Sequence, residues 1–143
     1  MKRRSSLLPY LVVGDETDLA HLAAVVATLP MCATGRVFVE CAEPGDAVEL
    51  GAPQRMTVTW LARSERSGAP GSCAACPRGE AVGRAVAAWA TEMIDEQTAD
   101  AMTVILTGDY RTVAAAHESI AERSCIADER ISLDEGYRLR RGR

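Results

Sequence analysis

Pro9-Tyr10-Leu11-Val12-Val13-Gly14-Asp15-Glu16-Thr17-Asp18-Leu19 is the stretch that decides the fold. An apolar run ends in Gly-Asp-Glu-Thr, and a helix-periodic segment begins at once. Such a run before a glycine reads as a buried strand, with Gly14 making the tight turn. Leu19, Leu22, Ala23, Val26 and Leu29 then recur at helical spacing until Pro30 stops them. Strand, turn and helix are the first half of a βαβ unit. In open α/β sheets ligands sit beyond the carboxyl ends of the strands, so Gly14 to Thr17 is where function is expected.

The same alternation continues along the chain. Gly35–Cys41 is a second strand, rich in β-branched and aromatic residues, broken by Glu43-Pro44-Gly45-Asp46. Arg55–Ala62 is a third, with Met56, Val58, Trp60 and Ala62 on one face. The connection between them holds little helix signal, no more than a turn around Ala47–Leu50. Arg63–Gly79 reads as a structureless linker of a length that is usually functional or mobile. Residues 80–98 return to helical period through Val82, Ala85, Val86, Trp89 and Met93. Met102–Thr107 is a fourth strand, and Asp109 caps a helix with Val113, Ala116, His117 and Ile120 on its core face. Arg130–Leu133 closes the set. The order β-α-β-β-α-β-α-β predicts one α/β domain over residues 1–143. Its open, Rossmann-like parallel sheet has about five strands in the order 3-2-1-4-5, with helices on both faces.

Composition narrows the function classes. The chain has 143 residues, enough for one domain with a real core. No apolar run approaches the roughly 20 residues of a membrane-spanning helix, and the short apolar patch after Lys2-Arg3-Arg4 makes no signal peptide. A cytoplasmic protein with no membrane partner is expected. Seven of the sixteen basic residues lie at the chain ends, and residues 5–137 carry a formal charge of −11. That distribution argues against a nucleic-acid surface. Five cysteines without a secretory signal do not suggest a disulfide framework. Cys73-Ala74-Ala75-Cys76 is a C-x-x-C, but two further zinc ligands at regular spacing are missing. A redox C-x-x-C normally opens a helix after a strand, whereas this one lies in a Gly/Pro/Ser-rich loop.

Taken together, Val12–Leu19, Gly35–Glu40 and Val58–Arg63 resemble the C-terminal domain of siderophore-interacting proteins, flavin-dependent ferric-siderophore reductases of the ferredoxin-reductase superfamily. The likeness continues through Thr107-Gly108-Asp109, where the family usually has Gly-Glu, and from Arg130-Ile131 to Gly136-Tyr137-Arg138. It implies a domain that binds NADPH or NADH, with Gly14, Asp15, Glu16 and Thr17 facing the nucleotide. Arg63, with Ser64 and Arg66, would grip the adenosine end; a guanidinium suits a 2′-phosphate through two parallel charge-assisted bonds. Gly108 and Asp109 would line the pocket. The family's tail commonly reads Gly-Tyr-Trp-Arg; here Tyr137, Arg138, Arg140 and Arg141 would stand near the flavin and an anionic ferric siderophore.

Only about seven residues precede the first strand, so the family's FAD-binding barrel is not expected on this chain, nor FAD itself. No nucleophile–base pair and no metal site emerges, so no catalytic residue is named and enzymatic activity is left open. The reading that follows is a stand-alone siderophore-interacting domain that takes NAD(P)H and works with a separate flavin-domain protein in iron acquisition. The alternatives are a binding or regulatory module derived from that domain, and a structural subunit that forms a homodimer through the face a barrel would cover.

Overall fold

β-branched and apolar runs alternate with helix-forming segments, and each run becomes a strand of one parallel sheet. The computed structural model describes residues 8–66, 68 and 74–133. Its strands are β1 (Leu8–Asp15), β2 (Ala33–Cys41), β3 (Met56–Ala62), β4 (Thr103–Leu106) and β5 (Ile131–Leu133). They lie in the order β3-β2-β1-β4-β5, every neighbouring pair parallel, as the sequence predicts.

Both faces are covered. Helix α1 (Leu19–Ala27) packs Leu22 and Val26 on Val12, Val37, Val39 and Met56. Each such fully buried aliphatic side chain contributes about 1.5–3 kcal/mol. Helices α2 (Glu80–Met93) and α4 (Tyr110–Arg123) cover the other face, over Leu11, Val13, Phe38, Val104 and Leu106. The connection from β2 to β3 carries only a 3₁₀ turn at Pro44–Asp46, three residues before the turn the sequence suggested. Leu50, 8 % exposed, joins the α1-side core, where a crossover helix would otherwise sit.

Three expectations are corrected. The helix read over 80–98 is two helices, α2 and α3 (Glu96–Ala101), because Asp95 leaves helical geometry and accepts the Thr98 N–H as a fresh N-cap. Met93, placed on the apolar face, is consequently 55 % exposed at the α2 end. The linker after β3 is not structureless where described. It opens with a 3₁₀ turn at Arg63–Glu65, and Cys76 and Gly68 donate N–H groups to the Arg66 and Ala74 carbonyls. Gly14, finally, makes no turn. It is inside β1, and a Cβ there would meet Leu22 Cδ2 at 2.7 Å, so glycine serves the close approach of α1. The chain turns instead at Glu16–Asp18. Among the described residues no helix is long and apolar enough to cross a membrane.

Candidate functional site

Strand register assembles the site. Asp15 lies opposite Glu40 and Cys41 opposite Ala62, so β1, β2 and β3 end together and Arg63 follows directly. Two of the carboxylates gathered there are wholly interior. Glu40, 0 % exposed, accepts the N–H groups of Gly79 at 2.9 Å and Val82 at 3.0 Å, in the first turn of α2. Asp15, 1 % exposed, accepts the Asp109 N–H at 2.9 Å and the Thr112 hydroxyl at 2.6 Å, in the first turn of α4. Its other oxygen accepts the Thr17 N–H and hydroxyl. First-turn N–H groups have no intrahelical partner and carry the positive end of the helix dipole, so each carboxylate fills an anion site that the fold creates. Gly108, at φ 102°, makes the Asp15 site accessible to the α4 backbone; a Cβ would lie 2.7 Å from the Asp15 carboxyl carbon.

Two arginines complete the cluster. Arg63 donates Nη1 to Glu40 at 2.9 Å and both terminal nitrogens to Glu16. Arg78 forms an ion pair with Glu16, Nη2 to Oε1 at 3.0 Å, while its Nη1 stands 3.7 Å from Asp15 Oδ2. Partial burial pushes the Glu16 carboxyl up, but the Arg63 hydrogen bonds, its own N–H and the two guanidinium charges hold it below its ordinary value. Burial likewise works against the Arg63 charge, and the bonds to Glu16 and Glu40 more than reverse it. At the rim, burial raises and the Arg111 N–H and side chain lower the Asp109 carboxyl, which ends below its usual range.

On the α1 side of the β2 and β3 ends lies a cavity of about 360 Å³, lined by Cys41, Pro44, Trp60, Ala62, Glu65 and Arg66. None of the charge cluster's residues lines it. Burial, then the Asp46 and Glu16 carboxylates, push the Cys41 thiol up, so it is protonated at neutral pH and a poor nucleophile.

The structure therefore divides the residues singled out in the sequence. Glu16, Arg63 and Asp15 come together, with Gly108 and Asp109 closing the Asp15 end. Ser64 and Arg66 are exposed, with Arg66 on the separate cavity. Gly14 and Asp15 are buried supports, whereas Glu16 and Thr17 reach the surface. Tyr137, Arg138, Arg140 and Arg141, like Cys73, lie outside the described residues. Glu40, Arg78 and Thr112 were missed. Glu40 had a signal, a carboxylate directly after the apolar run Val37-Phe38-Val39. Among the described residues no His, Cys, Asp and Glu group is arranged to hold a metal.

The sequence model of siderophore-interacting proteins matches residues 9–134. The chain belongs to the siderophore-interacting protein family. Within and beyond that family, ferric vibriobactin reductase ViuB of Vibrio cholerae is 23 % identical over 123 residues, 85 % of this chain and 40 % of ViuB. The siderophore-interacting protein SipS from Aeromonas hydrophila superposes with a TM-score of 0.62 at 19 % identity, over 88 % of this chain and 49 % of SipS. The ferredoxin reductase in carbazole 1,9a-dioxygenase superposes at 0.59 and 15 % identity, over 94 % of this chain and 39 % of its own. The chain thus spans less than half the length of each. The fold is that of a ferredoxin-reductase-like parallel sheet.

Proposed function

We propose that this siderophore-interacting domain binds NAD(P)H and serves as the nucleotide half of a ferric-siderophore reductase system, with a flavin carried by a separate protein. The observation that carries the reading is the pairing of a cavity with a charge cluster at one set of strand ends, where α/β sheets hold their ligands. The residues present suit a dinucleotide. Trp60 and Ala62 give the cavity an apolar wall for a planar base, and the exposed Arg66 lines it for the adenosine end. Arg63 is held by Glu40 and Glu16, so this reading gives it the middle of the ligand and leaves the 2′-phosphate to Arg66. Thr17, Gly108 and Asp109 flank the β1–β4 crevice. Hydride chemistry belongs to the nucleotide and one-electron reduction of iron to the flavin; the chain's own residues bind and orient.

Likeness to ViuB, a ferric vibriobactin reductase by name, supports the siderophore side, and the nucleotide side draws on the ferredoxin-reductase-like fold. A cytoplasmic site of action accords with such a reductase.

Calorimetric titration tests the reading. NADPH binds more tightly than NADH, because one charge-assisted pair with Arg66 contributes about 1.5–3 kcal/mol, or about tenfold and more. Arg66→Ala erases the difference. Failure of wild-type protein to bind either nucleotide overturns the proposal. A second reading, a non-catalytic binding or homodimerising module, is favoured by one fact: Asp15 and Glu40 fill both helix N-termini from within.

A further inference from the structure

Three carboxylates meet two guanidiniums at the strand ends, and they are not equivalent. Asp15 and Glu40 are interior, anchored by backbone N–H groups of α4 and α2. Glu16 stands on a 3₁₀ turn, its side chain 21 % exposed, clasped by Arg63 and Arg78. The helix N-termini offset the charge of the first two. Glu16 is then the anion that balances the arginine pair.

The clasp is incomplete. Arg78 Nη1 is buried and has no hydrogen-bond partner among the described residues; Asp15 Oδ2, at 3.7 Å, is beyond bonding range. Buried donors are nearly always satisfied, because an unmade bond leaves the desolvation cost uncompensated. A carboxylate offers two oxygens, and both are used on the other nitrogens. A phosphoryl group offers three, and forked guanidiniums suit it.

We propose that Arg63 and Arg78 form a binding site for a phosphoryl or pyrophosphoryl group, and that Glu16 is its displaceable internal occupant. The choice of a pyrophosphate ester as ligand rests on the dinucleotide reading; the site itself does not. On binding, Glu16 turns outward into solvent, and the phosphoryl oxygens take over its bonds and satisfy Nη1. Glu40 keeps Arg63 from following Glu16, and Asp15 lies beside Arg78 as its remaining counter-charge. Glu16 thereby sets the threshold for occupancy, since any ligand must out-compete a tethered anion.

The test is titration of metal-free inorganic pyrophosphate, and separately NADPH, into the wild-type chain, Glu16→Gln, and Glu16→Gln/Arg78→Met. Circular dichroism verifies folding. Glu16→Gln removes the competing charge and tightens pyrophosphate binding about tenfold or more; adding Arg78→Met cancels the gain. In wild-type protein, the arginine Nε–H resonances of Arg63 and Arg78 shift on adding pyrophosphate, a readout that needs no variant. Unchanged resonances, or a folded Glu16→Gln with no tighter binding, overturn the inference. If NADPH still binds wild type in that event, the proposed function survives alone. Tighter pyrophosphate binding without NADPH binding retains the site and removes the nucleotide reading.

Discussion

At the scale of single residues, side-chain position separates support from function. Asp15 and Glu40 are both acidic and both at strand ends, yet burial and backbone anchoring make them fixed parts of the fold. Glu16, one residue on, remains partly exposed, and its pKa is lowered by the arginines. A carboxylate depressed in the folded state stabilises above its unfolded pKa, and the contribution disappears as pH falls through the folded value. The melting temperature of wild type is therefore above that of Glu16→Gln at neutral pH. The gap closes on acidification, starting at the ordinary glutamate value and vanishing only below the depressed folded value; a constant gap between pH 7 and the acid limb contradicts this. Sequence alone located Gly14 to Thr17 at the carboxyl end of the first strand. It could not reveal that Asp15 points inward, because the partners that hold it, Asp109 and Thr112, are 94 and 97 residues away. Arg63 was legible as the residue directly after a strand, but its commitment to Glu40 was not, since that pairing depends on the β2–β3 register.

At the scale of elements, all five strands and their order were legible, because β-branched runs bounded by turn residues leave few alternatives. Helix ends were less so. Ile94 continues the apolar period across the break between α2 and α3, hiding it from any periodicity argument, and the signal lay in Asp95 followed by the Thr98 N–H it accepts. Asp95→Ala removes that cap and destabilises the chain. Chemical denaturation reads the loss as a lower midpoint at unchanged slope. A wild-type midpoint would mean that burial of Ala99, and not the cap, holds α3. The 3₁₀ turns at Glu16–Asp18, Pro44–Asp46 and Arg63–Glu65 are too short to leave a periodic trace, though all three stand at strand ends near the site.

At the scale of the whole molecule, the chain matches one part of longer relatives. The carboxyl edge of its sheet carries both the cavity and the arginine pair. The inward carboxylates of that edge have a consequence for time-resolved behaviour. First-turn helix amides ordinarily exchange their hydrogens with solvent readily, because nothing in the helix protects them. Gly79, Val82 and Asp109 donate theirs to buried carboxylates instead. In deuterated water these three amides exchange on the slow timescale of the core strands, far behind the Thr98 amide at the exposed cap of α3. Rapid exchange at all three would mean that the helix starts fray independently of the sheet. Slow exchange means that the ends of β1 and β2 and the starts of α4 and α2 open as one unit, so the carboxyl edge of the sheet keeps its shape until the domain itself unfolds.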